Sequence, residues 1–164
     1  MAKARTIPGF AGSRSFREAA GRAVETRADE VFEHAEHVLD VTDVERVHDM
    51  RVATRRLRAA LEIFATCFPK AEHRATLREV KALADALGER RDPDVAIESF
   101  ERVIEGLPEA DRTGIRQLVA ELRERQAGAN LRLAEAIESA RSGGLHERLA
   151  ALAAGARGAA EGVA

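Results

Sequence analysis

Apolar residues recur at intervals of three and four along most of this chain, a period that suits only helices. Ala20, Val24, Ala28, Val31, Ala35 and Val38 form one such row. Met50, Ala53, Leu57, Ala60, Leu61 and Phe64 form a second, and Leu77, Val80, Leu83, Ala84 and Leu87 a third. Each residue of a helix advances by about 100°, so every row collapses onto one stripe that needs another helix to cover it. The composition agrees. There are 33 alanines, no Trp and no Tyr, so strong helix formers are abundant and strand formers are scarce. The chain is therefore expected to be all-α, an antiparallel bundle of four to six helices with one long helix near residues 108–142. Its 164 residues suit one domain with a single core.

Punctuation along the chain sets the expected boundaries. Residues 1–14 hold Pro8, Gly9 and Gly12 without apolar periodicity and read as a loose tail. Ser15 with Glu18, and Thr42 with Glu45, have the spacing of capping boxes opening helices one and two. Helix one is expected to end near residue 40, and helix two at Phe68, before Pro69. Gly88 is expected to end a third helix, and Asp92-Pro93 to open a fourth that closes near Gly106. Pro108 begins the long helix, which Gly143-Gly144 breaks. A short helix over 145–153 completes a bundle domain of 15–153, with a second loose tail over 154–164.

Several function classes are excluded or weakened. The single Cys67 cannot form an internal disulfide, which suits a reducing compartment. No run of 18 apolar residues could span a membrane, and no hydrophobic leader opens the chain, so a cytoplasmic protein is expected. No Gly-rich phosphate loop, nucleophile elbow or zinc ligand set is present. His34 and His37 lie among acids, but helical di-iron sites use two Glu-x-x-His pairs, and only Glu45 with His48 has that spacing. Neither a metal nor any other cofactor is expected. Cys67 reads as a core residue, and His73 and His146 as surface residues.

Charge points to a partner. The formal net charge is -2. Residues 46–91 nevertheless hold 11 Lys or Arg against 6 Asp or Glu. In residues 47–58, His48, Arg51, Arg55 and Arg58 fall within a stripe about 80° wide, away from the face of Met50, Ala53 and Leu57. Arg56 points off that stripe. Lys70, Arg74, Arg78 and Lys81 share a stripe on the next helix. If the two helices form a hairpin about Phe68-Pro69, Arg56 comes level with Lys81, and His48 with the loop carrying Arg90 and Arg91. Asp92 and Asp94 could orient Arg90 or Arg91 from behind. Guanidinium groups give paired, charge-assisted hydrogen bonds to phosphate oxygens, and a protonated His48 could donate one more. One-turn and two-turn spacing of arginines suits a ligand with repeated negative charge. For Lys70, Arg74, Arg78 and Glu79 a merely solvated face is an open alternative, as is a surface ion-pair and capping role for Arg90, Arg91, Asp92 and Asp94.

The segment VHDMRVATRRLRAALEIF resembles the signature helix of the CHAD family, the conserved histidine α-helical domain. LREVKALADALGERRDPDV resembles the same family's following hairpin. The resemblance extends over about residues 15–142. It implies helical bundles with a basic surface that binds inorganic polyphosphate. Carried over by position, it assigns His48, Arg51, Arg55, Arg56 and Arg58 to the signature and Lys81, Arg90 and Arg91 to the second basic segment. Family members usually carry two related bundles, whereas this sequence holds one copy and is similar to the N-terminal half.

The expected function is non-catalytic binding of inorganic polyphosphate through His48, Arg51, Arg55, Arg56, Arg58, Arg74, Arg78, Lys81, Arg90 and Arg91. A homodimer would rebuild a two-bundle unit, and association with polyphosphate granules would follow. Two rivals stand beside this reading. One is a histidine phosphotransfer module using His48. The other is a nucleic-acid or protein-binding scaffold, weakened by the lack of Trp and Tyr for base stacking.

Overall fold

In the computed structural model, which describes residues 3–161, five helices pack together and no strand occurs among the described residues. α1 spans Phe16–His34 and α2 spans Val44–Ile63. α3 spans Lys70–Glu105, α4 Arg112–Ser142 and α5 Leu145–Glu161. The first three apolar rows are the core: Ala20, Val24, Val31, Val38, Met50, Leu57, Leu61, Val80, Leu83 and Leu87 are all buried. Leu133, Ile137, Leu145 and Leu149 close the core from α4 and α5. α3 and α4 lie side by side as one pair, α1 and α5 as another, with α2 against α1 and α3.

Local chemistry explains the helix starts. Ser15 Oγ accepts from the Glu18 N–H at 3.1 Å, as a capping serine should. At α2 the cap is Asp43, not Thr42: Asp43 Oδ1 accepts from the Glu45 N–H, while Thr42 turns back to Asp40. α1 ends at His34 and α2 at Ile63, both short of the expected residues; a 3-10 turn over Ala65–Cys67 then leads to Pro69. Positive φ at Gly144 makes the tight turn between α4 and α5. Gly21 serves a different need. A Cβ there would lie 2.5 Å from the Ala153 carbonyl oxygen, so only glycine lets α1 and α5 approach this closely.

Three expected boundaries are corrected. Gly88 does not end a helix and Asp92-Pro93 does not begin one: α3 runs through both as a single helix of 36 residues and exceeds the 31-residue α4 in length. An interior proline costs about 3 kcal/mol. Tertiary contacts on both sides of Pro93 offset it. Buried Arg90 pairs with buried Asp94 across the proline, and Gln126 of α4 donates to Asp94 at 2.6 Å. α5 continues past residue 153 to Glu161, because Arg157 forms a paired contact with Glu25 of α1 and Ala156 is buried. At the other terminus, Arg5 pairs with Glu33, and Arg27 donates to the Arg5 carbonyl at 2.9 Å. The described part of residues 1–14 is thus held against α1.

Candidate functional site

α2 divides its surface between burial and charge. Met50, Ala53, Leu57 and Leu61 are buried. Arg51, Arg55 and Arg58 stand exposed on the opposite side, with His48 half-buried. Among the described residues, Arg51 and Arg55 form no ion pair. Two carboxylates link this helix to α3. Glu62 Oε1 lies 3.6 Å from Arg58 Nε and 3.3 Å from Lys81 Nζ. Glu45 Oε1 lies 4.0 Å from Arg91 Nη2 near the start of α2. These contacts decide a point that helical periodicity leaves open: the flank of α2 bearing Arg58 is the one that meets Lys81. Arg58 of the α2 stripe and Lys81 of α3 thus share Glu62, and Glu45 reaches Arg91 near the other end of α2.

The other expected residues separate into three groups. Arg74 and Arg78 are exposed on α3, toward its start. Arg74 lines a shallow cleft of about 460 Å³ with Lys70 and His73. Arg56 is half-buried and engaged within the protein, off the stripe. Arg90 is a correction. It is 0% exposed, paired to Asp94 and donating from Nε to Asn130 Oδ1 at 3.0 Å. Its guanidinium is an internal strut between α3 and α4 and is not presented to solvent beside the α2 stripe. The expectation that Asp94 holds an arginine from behind is met by Arg90. Its neighbour Arg91 keeps only a small part of its side chain exposed.

Glu79, Cys67, His73 and His146 are structural. Glu79, which the hairpin register places level with Arg58, turns to α5 and accepts from Arg148 Nη1 at 2.7 Å. Those hydrogen bonds hold its carboxyl below the usual carboxylate range. Burial pushes the Cys67 thiol up, as suits a core cysteine. His73 and His146 are not free surface residues. His73 contacts the Leu61 carbonyl at 2.9 Å and stacks on Phe68, and His146 contacts Asp29 at 2.8 Å and stacks on Phe32. Among the described residues, no cluster of three or more His, Cys, Asp or Glu is arranged to hold a metal ion. No described helix is long and apolar enough to cross a membrane.

Sequence reasoning missed Glu62 and Glu45, the two acids in contact with the cations. Glu62 carried a legible signal, because it follows Arg58 by four residues, the helical ion-pair spacing. Glu45 carried none, since its contact with Arg91 exists only through the fold.

A family model for the CHAD domain matches residues 22–164, most of the chain. The chain belongs to the CHAD domain family. CHAD domains are associated in general with polyphosphate binding and are generally binding units without catalysis. The uncharacterized protein Rv2226 of Mycobacterium tuberculosis is 33% identical over 87 residues, which is 52% of this chain and 17% of that protein. The matched stretch thus spans less than a fifth of that relative. No solved structure matches the chain.

Proposed function

We propose that this CHAD domain binds inorganic polyphosphate along the groove between α2 and α3 and does not process it. The observation that carries the reading is the pair Arg51 and Arg55, exposed one turn apart with no ion-pair partner among the described residues. Arg102, by contrast, is balanced at helical spacing by Glu98. Neighbouring unbalanced guanidiniums repel each other until an anion arrives. Arg58 and Lys81 extend the row, and His48, Arg56, Arg74, Arg78 and Arg91 flank it. Arg90 contributes from beneath, by fixing the stretch of α3 that presents Arg91.

A phosphate chain needs only cations at repeated spacing, whereas a nucleic acid would leave its bases without Trp or Tyr platforms. No nucleophile beside a general base accompanies the row, so binding without hydrolysis is the reading. A homodimer also belongs to the proposal. So does a cytoplasmic setting beside polyphosphate granules. The test is titration of the purified chain with polyphosphate and with DNA at two salt concentrations. Polyphosphate should bind more tightly, with affinity falling steeply as salt rises. Equal or tighter DNA binding would overturn the ligand, and no binding of either would overturn the site.

A further inference from the structure

Away from the groove, α3 and α4 extend beyond the core. The cluster that unites all five helices ends at Leu87 on α3 and at Leu133 on α4. Farther out, Ile97 and Val119 are buried where these two helices pack on each other. The hairpin they form has two unlike flanks. One is charged, with Arg123 bound to Glu101 at 2.6 Å. The other is a groove of about 530 Å³ with an apolar floor of Pro93, Leu122 and Ala129. Helical spacing continues this groove outward. Phe100 and Val103 follow Pro93 by seven and ten residues, and Leu118 precedes Leu122 by four. Val103 is 49% exposed and Leu118 38%. The rims carry opposite charge: Asp92 on the α3 side and Arg125 on the α4 side, with Glu89 and Arg132 already paired to each other at 2.9 Å.

We propose that this flank pairs with the same flank of a second copy, about a two-fold axis parallel to the helices. Symmetry and charge select that axis. Two hairpins meeting face to face can be related by an axis along the helices or by one across them. The crosswise axis lays α3 on α3, acid against acid. The lengthwise axis lays α3 of one copy on α4 of the other, acid against base, with every neighbouring pair antiparallel as in a four-helix bundle. Register agrees. Glu89 pairs with Arg132, and Arg90 with Asn130, so residues whose numbers add to about 220 lie level. Asp92 of one copy then lies level with the other copy's Ala129, between Arg125 and Arg132. The exposed Val103 and Leu118 are brought level too, and cover each other across the interface. None of this uses the cationic stripe, so the pairing stands apart from the polyphosphate reading and assigns the dimer a surface on α3 and α4.

The test is sedimentation of the full chain over a range of concentrations. The wild type should form a dimer at about tens of micromolar. Val103→Glu with Leu118→Glu should abolish it while leaving the helical circular dichroism unchanged. Asp92→Arg and Arg125→Asp should each weaken pairing about tenfold alone, since each creates two like-charge contacts per dimer. An equimolar mixture of those two variants should restore pairing, because only the mixed dimer opposes unlike charges at both positions. A wild type that stays monomeric to about 200 μM would overturn the proposal. So would a dimer indifferent to the apolar substitutions, or a mixture that fails to associate. Arg55→Ala should leave association unchanged, which separates failure of this surface from failure of the anion site.

Discussion

Replacing Glu62 by Gln should tighten polyphosphate binding. Glu62 sits 3.6 Å from Arg58 and 3.3 Å from Lys81, with the three side chains 44%, 45% and 48% exposed respectively. The ion pairs themselves are worth little at such exposure, about 0.2–1 kcal/mol each, so stability should barely change. The effect on a polyanion is larger. A phosphate bound at Arg58 would lie about 6 Å from the Glu62 carboxylate, and two unit charges at that distance in water repel by about 0.7 kcal/mol. With a Debye length of about 8 Å near physiological salt, screening halves that figure. Two neighbouring phosphates then give about 0.6 kcal/mol, or about a threefold gain in affinity. At about 0.01 M salt the Debye length is about 30 Å and the same arithmetic gives about sevenfold. The salt slope should steepen by up to about 0.7, the value for one released counterion on a single strand. Isothermal titration of Glu62→Gln against the wild type at both salt concentrations measures all three quantities. Unchanged or weaker binding would refute the reasoning, and so would a gain that does not depend on salt.

The complementary loss is expected from Arg55→Ala with Arg58→Ala, which should lower affinity and flatten the salt slope by about 1.4 with circular dichroism intact. Arg55 should contribute the larger share, because Glu62 already partly neutralises Arg58. Gly21→Ala should destabilise the fold by about 1–3 kcal/mol, seen as a drop in Tm of roughly 2–12 °C, since its Cβ would meet the Ala153 carbonyl oxygen at 2.5 Å. The Glu79–Arg148 link between α3 and α5 should depend on pH. The Glu79 carboxyl is held below its ordinary range chiefly by hydrogen bonds from Arg148, so its stabilisation is present above about pH 4.3 and lost as pH falls through the depressed value. That contribution, screened at a half-exposed pair, is under about 1 kcal/mol, and the Tm gap between wild type and Glu79→Gln should close in acid. Prolonged incubation of polyphosphate with protein and magnesium should leave chain length unchanged, and a phosphodonor should leave no acid-labile phosphate on His48. Either product would reveal chemistry at the site.

What the sequence determined by itself was everything that repeats along one helix. The three-and-four spacing of Ala20 to Val38 and of Met50 to Phe64 was enough to give helices and to name their buried faces. The one-turn spacing of Arg51 and Arg55 was enough to separate a cationic side from an apolar one. Ser15 and Glu18 act within one turn, so their cap was legible as well. The tertiary structure decided whatever depends on a second helix. Gly88 and Asp92-Pro93 are locally a stop and a start, yet α3 passes through both because Arg90, Asp94, Gln126 and Asn130 bind across the proline from two helices. The same network takes Arg90 out of the candidate site, although its neighbours in sequence are no less charged than those of Arg91. Whether an arginine faces solvent or another helix is set by the angle it holds around the axis and by what packs there. Sequence gives the angle, and only the assembled bundle supplies the neighbour.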